Sequence, residues 1–184
     1  MSKQQRSDAV RNRTRILETA HAQLTAVGPE VSMGEIARAA GVAVGTLYRH
    51  FPTKADLVAA TLEQHLVTLT DELRAAATRV ADGASAAEEV RELLRASVHS
   101  QADSRILKET ARSLDLTDAG EALGALDEAL SRLLELGTAA GEIRPGTTTA
   151  DIYLLMSTMP TEESEAARLR WAELVVPGIV RDSA

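Results

Sequence analysis

The sequence contains no cysteine, which excludes a disulfide framework and any thiol chemistry. It has no apolar run long enough to span a membrane, and its first residues are polar rather than signal-like. A cytoplasmic protein with no membrane partner is the simplest expectation. Rings are scarce: one Phe, one Trp and two Tyr in 184 residues. There is no glycine-rich phosphate loop, and the four histidines are scattered. His65, His99 and Asp103 lack the i, i+4 spacing that puts metal ligands on one helical face. Neither a metal nor a cofactor is expected, and no catalytic constellation argues for an enzyme. Internal repeats and low-complexity linkers are missing too. What remains is a chain dominated by Ala, Leu, Glu and Arg, which favours helix nearly throughout. The expected fold class is all-α, in one large or two small domains.

The net charge of −7 argues against a nucleic-acid partner until its distribution is considered. Residues 1–54 carry eight cations (Lys3, Arg6, Arg11, Arg13, Arg15, Arg38, Arg49, Lys54) against four acids (Asp8, Glu18, Glu30, Glu35). The remainder holds 12 basic and 23 acidic residues. A basic end on an acidic body makes the N-terminal part the candidate nucleic-acid surface.

The stretch from Ser32 to Lys54 organises that end. Ile36, Ala37 and Ala40 share a helical face, and Gly41 then supplies the left-handed turn that glycine enters without strain. A second short helix runs from Val44 to Phe51, with Leu47 and Phe51 paired inward at i, i+4. Pro52 ends it, Thr53 suits an N-cap, and Lys54 falls in the first turn of the next helix. Two short helices about a glycine turn predict a helix-turn-helix over 32–51. Ser32 with Glu35 three residues on forms a capping box, and a helix N-terminus also suits phosphate, so Ser32 has room for both roles.

The second of these helices is odd for a purely structural element. Its outward set is Gly45, Thr46, Tyr48, Arg49 and His50, beginning at Val44, with no carboxylate. Glycine inside a helix costs roughly 1 kcal/mol relative to alanine, which makes sense where another surface comes very close. An anionic partner approached closely by this face explains both features. Gly45 and Thr46 are the expected base-edge contacts, because the N-terminal part of a recognition helix enters the major groove. Tyr48 suits a deoxyribose and phosphate, or a half-buried place against the first helix. Arg49 is the one fork on this face, and His50 is placed to favour the negative helix C-terminus.

The block GVAVGTLYRHFPTKADL resembles the recognition-helix signature of the TetR family of transcriptional regulators. RTRILETA and SMGEIARAAG resemble that family's first and second helices. The resemblance covers roughly the first third of the chain; the rest is similar in layout only. It implies about nine helices, with a three-helix DNA-binding domain over 10–54 and a helical bundle over 55–184 for effector binding and dimerisation. It also implies that Thr14 and Arg15 lie against the DNA backbone. The activity it implies is repression from a palindromic operator by a homodimer, relieved by a small-molecule effector. A nonspecific architectural DNA binder or a protein-interaction module is the rival reading.

Elsewhere, periodicity predicts a first helix over 10–27 behind a mobile arm of residues 1–9. A long helix is expected from Thr53 to Arg79, with Leu57, Leu62, Leu66, Leu69 and Leu73 inward. Further helices are expected over 86–101, 104–113, 121–139, 149–156 and 163–176, the last kinked or ended by Pro177 and Gly178, with Ile179 and Val180 free to add a turn. An effector pocket among these helices would be aliphatic. His65, Leu69, His99 and Ile106 are its candidate lining, with Gln101 and Arg105 nearby, and the effector would be apolar or amphipathic. Leu126, Leu130, Leu133, Trp171 and Val175 are candidates for the dimer interface, Trp171 reading equally well as an intramolecular core residue.

Overall fold

A computed structural model describes residues 3–98, 120–160 and 163–181, with side chains from residue 11 onward. The fold is all-α. The helices are α1 (Lys3–Val27), α2 (Met33–Ala39), α3 (Val44–His50), α4 (Lys54–Ala81), α5 (86–98), α6 (Gly120–Ala139), α7 (Thr149–Ser157) and α8 (Glu165–Ile179). One isolated antiparallel bridge, Ile143 with Val180, is the only β pairing among the described residues. The helices expected at 104–113 and the candidates His99, Gln101, Arg105 and Ile106 lie outside the described residues.

One boundary differs from the sequence expectation. Helix α1 begins at Lys3, so residues 3–9 are helical where an arm was expected. Lys, Gln and Arg sustain a helix by propensity alone, without the apolar period that marks its later turns. At the other end, α8 runs past Val176 through Pro177 to Ile179, taking the added turn that the sequence left open. Proline removes a helical N–H, but the turn beyond it is fastened elsewhere. The Arg144 N–H donates to the Ile179 carbonyl at 2.8 Å, and the Arg144 Nε donates to the Pro177 carbonyl at 3.0 Å.

The chain divides into two units, the first running through His65 and the second beginning at Leu66 within α4. The core of the first unit joins Ile16, Leu17, Ala20 and Leu24 of α1 with Ile36 and Ala37 of α2 and Leu47 of α3. Leu57 and Val58 of α4 complete it. His65 stacks on His21 of α1, with centroids 5.2 Å apart. This contact is intramolecular, so the sequence-predicted pocket residue His65 has a packing role here. Leu69 is half-buried in the second unit.

The second unit is centred on Ala76, Val90, Leu130, Leu133, Leu134, Ile143 and Ile179. Leu133 is 0% exposed and Leu130 nearly so. Both were expected at a dimer interface; both pack in the monomer's interior, which leaves Leu133 no exposed surface and Leu130 8% of its own. Trp171 is half-buried against Val98, Met159 and Ala172, and Leu126 and Val175 are also half-buried.

A carboxylate far away in sequence caps α5. The Ser85 hydroxyl donates to Glu142 at 2.6 Å, and the Ala87 N–H donates to the same oxygen at 2.9 Å. These bonds hold the Glu142 carboxyl below the ordinary glutamate value. A lowered folded pKa means that the contribution is present at neutral pH and is lost as pH falls through the acidic range below that ordinary value. Glu142→Ala is expected to cost about 1–2 kcal/mol at pH 7, the usual worth of a lost N-cap. In melts repeated toward pH 3, the gap between the variant and the parent should narrow.

Candidate nucleic-acid interface

The turn between α2 and α3 is built by backbone alone. Gly41 sits at φ +63°, its N–H donates to the Arg38 carbonyl at 3.1 Å, and the Val42 N–H donates to the Ala37 carbonyl at 3.0 Å. This pair of bonds is a Schellman ending, which satisfies the last carbonyls of α2 and swings the chain sharply into α3. At the other end of α2, the Glu35 N–H donates to Ser32 Oγ at 3.2 Å, and the Ser32 N–H donates to the Glu35 carboxylate at 2.8 Å. The Ser32 hydroxyl also donates to that carboxylate at 2.6 Å. These Ser32 bonds hold the Glu35 carboxyl below its ordinary value. The hydroxyl of Ser32 is thus committed to its cap, which leaves phosphate a smaller role there than the sequence suggested.

Helix α3 presents four rows. Leu47 and Phe51 are buried, and Thr46 and His50 are half-buried. Val44 with Tyr48, and Gly45 with Arg49, form the two exposed rows. Val44 is 46% exposed and Tyr48 48%, large values for apolar bodies with no chain partner to cover them. The exposed face of α3 is therefore Val44, Gly45, Tyr48 and Arg49, with Thr46 and His50 on its flank. A methyl placed on Gly45 would have no neighbour within 4 Å. Nothing inside the chain requires glycine at this position.

The supporting cations are individually placed. Thr14 and Arg15 are exposed on α1, and the Arg15 guanidinium donates to the Asn12 side chain at 2.9 Å. The Arg13 guanidinium lies 5.4 Å from the centre of the Phe51 ring, a cation–π contact that ties α1 to the end of α3. Sequence reasoning left out Asn12 and the Arg13 contact; the alternation Arg11, Arg13, Arg15 was the available signal. Thr53 caps α4 with Asp56, its N–H donating to that carboxylate at 2.9 Å. Lys54, one residue on, donates its ammonium to the Pro29 carbonyl. An ammonium has three donors, so this bond fixes the head while leaving two for a phosphate. Among the described residues, no group of three His, Asp or Glu side chains could hold a metal ion. No described helix is long and apolar enough to cross a membrane.

Residues 16–61 match the family profile of the bacterial regulatory proteins, tetR family. A curated HTH-type transcriptional regulator of Staphylococcus aureus (strain bovine RF122 / ET3-1) is 41% identical over 70 residues, 38% of this chain and 38% of that protein. This match leaves most of that relative's length uncovered. Solved structures extend the likeness further. The TetR transcription regulatory protein from Mycobacterium vanbaalenii is 33% identical, with a TM-score of 0.79 over 96% of this chain and 99% of that one. A TetR transcriptional regulator from Streptomyces coelicolor is 25% identical, with a TM-score of 0.77 over 93% of this chain and 99% of that one.

Proposed function

The chain belongs to the TetR family of transcriptional regulators, and from that premise we propose a ligand-responsive repressor that binds a palindromic operator as a homodimer. The observation that carries this reading is the exposed face of α3. It holds a first-turn glycine that internal packing does not require, with Tyr48 and Arg49 and without a carboxylate. Val44, Gly45, Tyr48 and Arg49 enter the major groove, with Thr46 and His50 at its edge. Thr14, Arg15, Lys54 and the α2 end at Ser32 face the phosphates. The protein acts by binding rather than turnover, in the cytoplasm where an operator is found.

One head reads only a few base pairs, and pairing two heads doubles the site and makes it two-fold symmetric. We place the dimer contact on exposed apolar side chains of α6–α8. Leu154 and Leu174 are each 64% exposed, and Leu123 is also exposed. Leu126, Trp171 and Val175 would flank them. Leu154→Glu combined with Leu174→Glu should leave a folded monomer in sedimentation and lower operator affinity more than tenfold. A dimer unchanged by both substitutions would move the contact elsewhere. An apolar or amphipathic effector would favour a head spacing that no longer fits the operator.

Selection of sites from random and genomic duplexes by the purified protein tests the reading. A single palindromic site is the expected result, and equal binding of unrelated duplexes would overturn it. With roughly eight phosphates contacted per dimer, log affinity should fall against log salt with a slope of about −7. A slope near zero would remove DNA as the partner.

A further inference from the structure

Helix α1 carries a cation on its inner stripe. Arg13 stands three and four residues before the buried Ile16 and Leu17, and seven before the buried Ala20. Periodicity gives that register to an apolar residue. Arg13 is nevertheless exposed, and its guanidinium lies 5.4 Å from the centre of the Phe51 ring. We propose that Arg13 grips a phosphate of the operator backbone, and that the Phe51 ring holds its guanidinium in place before the DNA arrives. The proposal rests on the DNA-binding reading of α3 and adds to it a contact supplied by α1.

Three observations support it. First, the guanidinium keeps its donors. Among the described residues, Arg13 makes no hydrogen bond and no ion pair. A ring face attracts the cation as a whole through its quadrupole, so most of the donors of the fork stay available to an anion. Second, the ring is fixed. Phe51 is 3% exposed, and its N–H donates to the Leu47 carbonyl at 2.8 Å where α3 ends. An arginine loses much rotamer freedom when it binds, and a fixed ring that already orders it removes part of that cost from the binding step. Third, the place suits a phosphate rather than a base. A recognition helix puts its N-terminal residues against base edges, which leaves its C-terminal end toward the backbone. Phe51 closes α3, and Lys54, three residues on, opens α4 with its ammonium on the Pro29 carbonyl. One anchored cation therefore stands at each end of the link from 51 to 54. No acid occurs in the sequence between Glu35 and Asp56 to compete for either.

Anisotropy titrations of the full chain across a salt series test the phosphate contact. Arg13→Gln should weaken the selected operator and an unrelated duplex by the same factor, about tenfold, since both heads lose a contact that carries no sequence information. The slope of log affinity against log salt should become shallower by about 2, roughly 0.9 for each lost phosphate. Arg13→Lys keeps the charge, and its slope should stay at the parent value. Arg13 is exposed, so neither substitution threatens the fold. An Arg13→Gln slope equal to the parent's would overturn the proposal. A lower melting temperature beside that unchanged slope would make Arg13 a tie between α1 and α3 and nothing more. The role of the ring is read without touching the core. In the DNA-free parent, NMR relaxation of the Arg13 Nε–H group, assigned by its absence from Arg13→Gln, should give an order parameter above about 0.6, the flexible limit. Disorder equal to that of the exposed Arg49 would overturn the positioning by Phe51. Site selection with the parent separates this contact from the repressor reading. Equal binding of all duplexes would remove the repressor and leave the slope comparison standing. A single selected site with no change of slope would remove Arg13 alone, and a parent that binds no DNA would remove both.

Discussion

Replacing Gly45 with alanine should lower operator affinity by tenfold or more while making the protein more stable. The two effects have separate causes. Within the chain, a Cβ at this position meets nothing within 4 Å, and the backbone has no left-handed conformation to strain. Alanine therefore contributes only its better helix propensity, a fraction of the roughly 1 kcal/mol of a helix interior because Gly45 is the second residue of α3. On the proposed reading, the same methyl would occupy the closest point of approach to DNA, on the face that internal packing leaves open. Forcing a methyl into a packed contact costs about 1–3 kcal/mol, and a dimer meets that cost at both heads. Each 1.4 kcal/mol is about a factor of ten in affinity. Anisotropy titrations on the selected operator and a thermal melt of the same sample check both signs. Opposite signs would separate loss of recognition from loss of folding. An unchanged affinity would place Gly45 away from the close approach and shift recognition to Tyr48 and Arg49.

Local chemistry is what the sequence made readable. The turn at Gly41, the cap at Ser32 and the breaks at Pro52 and Gly28 depend on residues a few positions apart, and each is where its pattern put it. The inner row of α3 was readable for the same reason, since Leu47 and Phe51 are an apolar pair at i, i+4 spacing. Its outer rows were less so. Thr46 was expected outward with Gly45 and Tyr48, whereas a helix anchored through Leu47 leaves it half-buried, with Val44 exposed as expected. Polar contacts between distant residues were not readable at all. Lys54 reaching Pro29 and Glu142 reaching Ser85 join residues with no shared local pattern. Leu130 and Leu133 show the same limit for apolar residues, because periodicity marks a buried face without saying whether the chain or a second copy buries it.

Gly137 is the second position where a single methyl should have a large effect, here of the ordinary destabilising sign. In α6, a Cβ at Gly137 would lie 2.4 Å from Ile143 Cγ1 and 2.9 Å from Ala86 Cβ. Neither neighbour has anywhere to go, since Ile143 and Ala86 are both fully buried. The glycine cannot retreat either. Its carbonyl accepts from the N–H groups of Glu142 and Ile143, both at 3.0 Å, in the turn that closes α6 around Gly141. Overpacking at such a point costs about 1–3 kcal/mol, and the two sub-3 Å contacts put Gly137→Ala at the upper end. The gain in helix propensity of up to about 1 kcal/mol offsets only part of this. Chemical denaturation should report a net loss of about 1–2 kcal/mol with operator contacts untouched. The mechanism itself is checked by a double-mutant cycle with Ile143→Ala. That change alone should cost about 2–5 kcal/mol through the cavity it leaves. In its background the 2.4 Å contact with Cγ1 is gone while the 2.9 Å contact with Ala86 Cβ stays, so Gly137→Ala should cost clearly less than in the parent. A coupling energy near zero would mean that the clash with Ile143 is not what excludes a side chain at this position.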